Sequence, residues 1–215
     1  MYSINISEIL PERTKYNFKI EKKIIGNSIF VWYKTQGRTV KCIFPTKIIL
    51  NDKFFIGLGL SIGDGLNNPS IKNTHYNFAN SNFHLVGIVS EWLEEFFGIQ
   101  SNRLQFIIQS KLYNSNINNP ITKVAHIFNL NPDNIKMYFS ERHSKDVLTI
   151  QTSNTIFQLI YSKLFDSLKS MIIANTNFRR SFLKGLFAAE GHIKHSIYHT
   201  IEHIDFSFNP KNEAP

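Results

Sequence analysis

The chain has 215 residues, 42% of them hydrophobic and 19% charged, which suits an ordinary globular core and excludes a disordered tail. A net charge of +8 favours polyanions or anionic membrane surfaces as partners, and charge alone does not choose between them. No apolar run approaches the ~20 residues that span a bilayer. The N-terminus lacks a basic head before an apolar stretch, and a single cysteine, Cys42, excludes an internal disulfide or a thiolate metal cluster; a soluble, cytoplasmic protein is expected.

Residues from about 17 to 50 alternate apolar and polar in "NFKIEKKIIG", "SIFVWYKT" and "TVKCIF", separated by GN and QG turn signals. That pattern predicts hairpins and a β-rich N-terminal unit over residues 1–52. Cys42 reads as a small buried strand residue. "FFIGLGLSIG" is continuous and apolar, and its length favours a buried helix despite its glycines. "HYNFANSN" reads as a strand ending in a polar turn, and "FHLVGIVSEWLEEFFG" as a helix closed by Gly98. "RLQFIIQSKLY" alternates as a strand. "PITKVAHIFNL" opens a helix at Pro120 and "NPDN" stops it. "IKMYFSERHSKDVLTIQTS" predicts two strands joined by a charged turn, and "NTIFQLIYSKLFDSLKSMI" an amphipathic helix capped by Asn154. The order of elements is that of an α+β fold.

Late in the chain, "SFLKGLFAAEGHI" restates the glycine-rich helix. With Glu190 set on Asp64, Gly191 falls on Gly65, Ala189 on Gly63, Leu186 on Leu60, Gly185 on Gly59 and Phe182 on Ile56. Two copies of one unit therefore lie 126 residues apart, the interval from Asp64 to Glu190. Gly59 and Gly63 stand four apart, as do Gly185 and Ala189, so each helix carries a stripe of small residues that lets two backbones approach closely. Parallel packing of the two stripes would bring Asp64 and Glu190 side by side. Paired carboxylates repel unless they share a proton or bind a cation. Mg²⁺, or another divalent cation such as Mn²⁺, prefers such hard oxygen ligands, and in a basic protein that combination points to phosphodiester hydrolysis.

"GLGLSIGDG" and "LKGLFAAEG" resemble the two signature motifs of the LAGLIDADG homing endonucleases, and the resemblance covers Lys53 to about Glu213. It implies a LAGLIDADG homing-endonuclease-like fold of mixed helices and antiparallel sheet: a monomer with pseudo-two-fold symmetry, whose sheets form a saddle over double-stranded DNA. On this resemblance Asp64 and Glu190 are the catalytic metal ligands, and Gly59, Gly63, Gly185 and Ala189 form the helix interface. Both DNA strands would be cut across the minor groove, leaving short 3′ overhangs. The chain then divides into an N-terminal β-rich extension (1–52), a first repeat (53–178) and the start of a second, truncated repeat (179–215). The truncated half is expected to hold about one strand, with the edge of "IDFSF" unpaired.

The function expected is that of a site-specific, intron-encoded DNA endonuclease. The alternative is a non-catalytic relative, an RNA-splicing maturase or a degenerate fragment, with intron RNA as partner. Asn77, Asn80, Gln105, Gln109 and Gln151 suit base-edge reading, since Asn and Gln pair with adenine. Lys111, Lys136, Arg142 and Lys145 suit phosphates and are candidates for the basic residues that the resemblance places near the metals. Which of them face DNA depends on strand register. His192, His195, His199 and His203 have spacings that a zinc ion uses, but no acid or thiol completes the set. "KIEKK" and "TQGRTVK" make the N-terminal unit either a further DNA-contacting module or a stabilising flap.

Overall fold

The computed structural model describes residues 2–65, 75–110, 120–139, 145–195 and 201–206. The chain opens with a strand that the sequence pattern does not announce, β1 (Tyr2–Asn5), and one helical turn, α1 (Ile6–Ile9), capped by the Asn5 side chain. Three strands follow as two antiparallel hairpins, β2 (Ile20–Ile25), β3 (Ser28–Lys34) and β4 (Thr39–Pro45). Gly26, at φ +58, makes the first reversal, a backbone position that favours glycine. Alternation then sorts β3: Ile29, Val31 and Tyr33 are buried, while Ser28, Phe30 and Trp32 lie on the other face. β5 (Lys47–Leu50) pairs antiparallel with β1 and leads straight into the motif helix.

That helix, α2 (Asp52–Gly63), starts where Asn51 Oδ1 accepts the Phe54 N–H at 2.8 Å. Gly57 leaves room for the indole of Trp92, whose Nε1 donates to the Phe54 carbonyl at 3.0 Å. Next come β6 (Tyr76–Asn80), α3 (Phe83–Phe97), β7 (Gln105–Ser110), α4 (Pro120–Phe128), β8 (Ile135–Phe139) and β9 (Val147–Thr152). α3 ends at Gly98, at φ +67. The long helix α5 (Thr155–Ala174) is capped by Asn154, whose Oδ1 also accepts from the Cys42 thiol at 3.2 Å. The N-terminal unit is thus tied to α5. α6 (Thr176–Glu190), β10 (Gly191–His195) and β11 (Ile201–Phe206) complete the described chain. Among the described residues no helix is long and apolar enough to cross a membrane.

The central sheet has the order β6-β9-β7-β8. It is mixed rather than purely antiparallel, because β7 and β8 run parallel with α4 as the crossover between them. β8 and β9 are not adjacent; β7 lies between them. The charged segment that links them has no NG or DG pair of the kind that closes a tight hairpin. Residues 201–206 pair antiparallel with β10, from Gly191↔Phe206 to His195↔Ile201, so the second half has two strands here, not one. Three of the five β10 residues are His or Lys, which leaves Ile193 alone to carry a strand-like pattern.

α2 and α6 lie parallel along each other. Phe55 stacks on Phe178 at 4.3 Å, and Ser181 Oγ donates to Asp52 Oδ1 at 2.7 Å, so the N-terminal halves meet. Further along, a Cβ on Gly59 would collide with the Phe182 carbonyl oxygen and sit 2.8 Å from the Leu186 nitrogen. A Cβ on Gly185 would collide with the Ile56 carbonyl oxygen and sit 2.8 Å from the Leu60 nitrogen. These are one contact seen twice, each partner displaced by 126 residues, as a pseudo-two-fold axis between the helices requires.

Gly59→Ala and Gly185→Ala should each destabilise the fold by about 1–3 kcal/mol, since neither backbone can yield without separating the helices. Gly87→Ala in α3 meets no atom within 4 Å and should stabilise by about 0.5–1 kcal/mol. Urea unfolding of the three variants checks both signs.

Candidate functional site

Asp64 is the residue on which α2 ends. Its N–H reaches the Leu60 carbonyl at 3.1 Å, and its own carbonyl accepts from the Ala79 N–H at 3.4 Å. Gly65 then forms an antiparallel bridge to Phe78. A side chain at 65 would strike the Ser61 carbonyl, which explains a glycine directly after the acid. The Asn80 amide donates to Asp64 Oδ2, and Asn80 Oδ1 accepts from the Asn82 N–H at 2.6 Å. The amide is therefore held at both ends, and Asp64 Oδ1 makes no hydrogen bond to another described residue.

Burial pushes the Asp64 carboxyl above the ordinary carboxylate value, against the opposing effect of the Asn80 hydrogen bond. One turn earlier, Ser61 Oγ lies 2.7 Å from the Tyr76 hydroxyl and 2.8 Å from that of Tyr161. All three are buried, and burial pushes both phenols well up, so they stay neutral. This cluster fixes the last turn of α2 to β6 and α5. Sequence reasoning missed it; the only signal was a lone hydroxyl in an apolar helix, three residues before the acid.

Glu190 is the last residue of α6, and its side chain lies outside the described residues. Because α2 and α6 run parallel, their C-terminal ends emerge at the same end of the pair. The backbone then repeats: Gly65 pairs with Phe78, and Gly191 with Phe206. Of the four interface positions, Gly59 and Gly185 make the close contact. Gly63 closes α2 half-buried, and Ala189 packs half-buried against the core. Among the described residues no three His, Cys, Asp or Glu gather as a metal cluster. The side chains of His192, His195 and His203, and all of His199, lie outside the described residues.

Strand register sorts the polar candidates. Asn77 stands opposite Gln151, which stands opposite Gln105, giving one row of three amides across β6, β9 and β7. The next row is Ala79, Thr149, Ile107 and Lys136, and the third holds Val147, Gln109 and Tyr138. Alternation puts all of these on one face, while Tyr76, Phe78, Phe106, Ile108, Leu148 and Ile150 fill the core on the other. Asn77 Oδ1 is buried with no hydrogen-bond partner among the described residues.

Asn77, Gln105, Gln109, Lys136 and Gln151 thus share a face, joined by exposed Tyr138, which the sequence reading did not single out; Thr149 lies on the same face but is buried. Asn80 falls on the opposite face and is committed to Asp64. Lys145 lines a cleft of about 1310 Å³ at the same end of the sheet, with His84, Lys123, His126 and Asp146. Lys111 and Arg142 lie outside the described residues. No protein-family model matches the chain, and no curated protein matches it.

The raised Asp64 value fixes the sign of one pH effect. The fold favours the protonated acid, so this stabilisation is full below the ordinary carboxylate value and is lost as pH rises through the folded one. At neutral pH the ionised carboxylate opposes folding. Asp64→Asn keeps an acceptor for Asn80, and it should melt at a higher temperature than wild type at pH 7 in the absence of divalent cation. The gap should close on acidification, and calorimetry across that range measures it.

Proposed function

We propose that this chain is a site-specific endonuclease of the LAGLIDADG homing type, acting on double-stranded DNA with a divalent cation held by Asp64 and Glu190. The observation that carries this reading is the α2–α6 contact. It repeats itself at an interval of 126 residues and ends both helices in an acid-glycine pair at one end of the bundle.

A hard cation such as Mg²⁺ or Mn²⁺ fits the donors present. They are carboxylate oxygens at two helix C-termini, whose carbonyl ends carry partial negative charge. Burial of Asp64 disfavours its bare charge, and a cation relieves that cost. When bound, such an ion activates water and stabilises the leaving oxygen of the phosphodiester. Asn80 orients the Asp64 carboxylate so that Oδ1 faces away from its own hydrogen bond. The polar sheet face, with its row of Asn77, Gln151 and Gln105, reads base edges in the major groove. Lys136 and Lys145 meet phosphates, contacts that position without specifying sequence.

Cleavage of a plasmid library in Mg²⁺ tests the reading. Discrete cuts should disappear in Asp64→Asn, and Asn80→Ala should lower the rate by roughly 10–100-fold, as loss of a group that orients a metal ligand does. Gln105→Ala and Gln151→Ala should each weaken binding to the cut sequence by about 1–3 kcal/mol relative to unrelated duplex. Tight binding of intron RNA with no cutting of any duplex would replace this reading with the non-catalytic one.

A further inference from the structure

The N-terminal sheet has an open face that the proposed cleavage site does not use. Register places Lys23, Phe30 and Ile43 in one row and Glu21, Trp32 and Lys41 in the next, with Lys34 opposite Thr39 beyond them. The opposite face, with Ile29, Val31, Tyr33, Cys42 and Phe44, is buried in the core. Phe30 and Trp32 are half-buried on the central strand, two residues apart and hence on the same side, about 7 Å from one another along it. Lys23, Lys34 and Lys41 rise around them, and Arg103, from the turn before β7, joins them in lining a groove of about 690 Å³. All four cations are exposed, and among the described residues none is in an ion pair.

We propose that this face binds single-stranded nucleic acid, with bases stacked on Phe30 and Trp32 and phosphates on the surrounding cations. Two aromatic ledges in a cationic groove are what a single strand needs, because every unpaired base offers a π-face to stack. A duplex hides those faces inside its own stack, so it cannot use the rings. A second copy of this chain is a poor occupant, since a two-fold contact through this patch would set its lysines against the partner's. The chemistry is common to single-stranded DNA and RNA.

The test is titration of the full chain, without divalent cation, by a short labelled oligonucleotide. It is presented as DNA and as RNA, each single-stranded and annealed to its complement. Of the two tryptophans, Trp92 is fully buried, so a fluorescence change on binding reports Trp32. Single strands should quench it and duplex should not. Phe30→Ala and Trp32→Ala should each weaken single-strand binding about tenfold and leave duplex binding unchanged, while Trp32→Phe should retain most of it. The double reversal Lys34→Glu with Lys41→Glu, at exposed positions, should weaken binding and lower its salt dependence from a slope of about −3. A preference for the RNA or the DNA strand identifies the source.

Folded Trp32→Ala protein that binds single strands like wild type overturns the proposal. So does quenching of Trp32 by duplex as strong as by single strand, or a dimer of the chain that dissociates on Trp32→Ala. Asp64→Asn should leave single-strand binding untouched, so failure of the cleavage reading and failure of this one are separable.

Discussion

The backbone-to-backbone approach of α2 and α6 at Gly59 and Gly185 is the constraint on which the rest depends. Each glycine admits the other helix's carbonyl where any side chain would collide, so the two axes are held at one spacing. Both acids stand five residues beyond their glycine, which along a helix is about 7.5 Å. Equal offsets from a shared contact, in parallel helices, put the two chain positions at the same height. The placement of Asp64 relative to Glu190 is thus a property of the helix pair and not of any loop, which suits a centre whose ligands must be held to fractions of an ångström.

The neighbourhood of Asp64 extends that rigidity into the sheet. Its carbonyl is bound by Ala79, its carboxylate by Asn80, and the turn before it by the Ser61, Tyr76 and Tyr161 hydroxyls. Three of these partners lie on β6, whose other face begins the amide row at Asn77. One strand therefore holds the acid with its even-numbered side chains and carries Asn77 on the opposite face. A half-buried, raised-pKa carboxylate at a helix C-terminus is unfavourable for stability, because burial and the dipole both oppose its charge. Such a residue is expected where function rather than folding selects it.

Much of this could be read from the residues alone, for identifiable reasons. The helices carry long apolar patterns with strong punctuation, Asn154 and Gly98 among them, and the repeat is visible because close backbone contact tolerates so few residue types. The topology of the sheet was hidden because parallel pairing of β7 with β8 is a non-local choice that neither strand's pattern encodes. β1 is short and gains its identity from β5, 44 residues away at the pair Ile4↔Ile48. Asn80 looked like the other amides; only register, with its period of two, separates the residue that orients Asp64 from those on the open face.

That same register argues that the sheet face is a working surface. An exposed face with no duty beyond solubility would scatter charged residues and satisfy its amides locally, yet here Asn77, Gln151 and Gln105 align across three strands and Asn77 Oδ1 is buried without a partner among the described residues. A buried acceptor left unpaired costs about 1–3 kcal/mol, so stability alone does not account for this amide. The N-terminal sheet follows a different chemistry, with rings and lysines in place of amides. Amides recognise the hydrogen-bonding edges that a duplex exposes in its groove, whereas rings need the flat faces that only an unpaired strand exposes. On the proposed readings, the amide face of the central sheet would suit duplex and the ring-and-lysine face of the N-terminal sheet would suit a single strand.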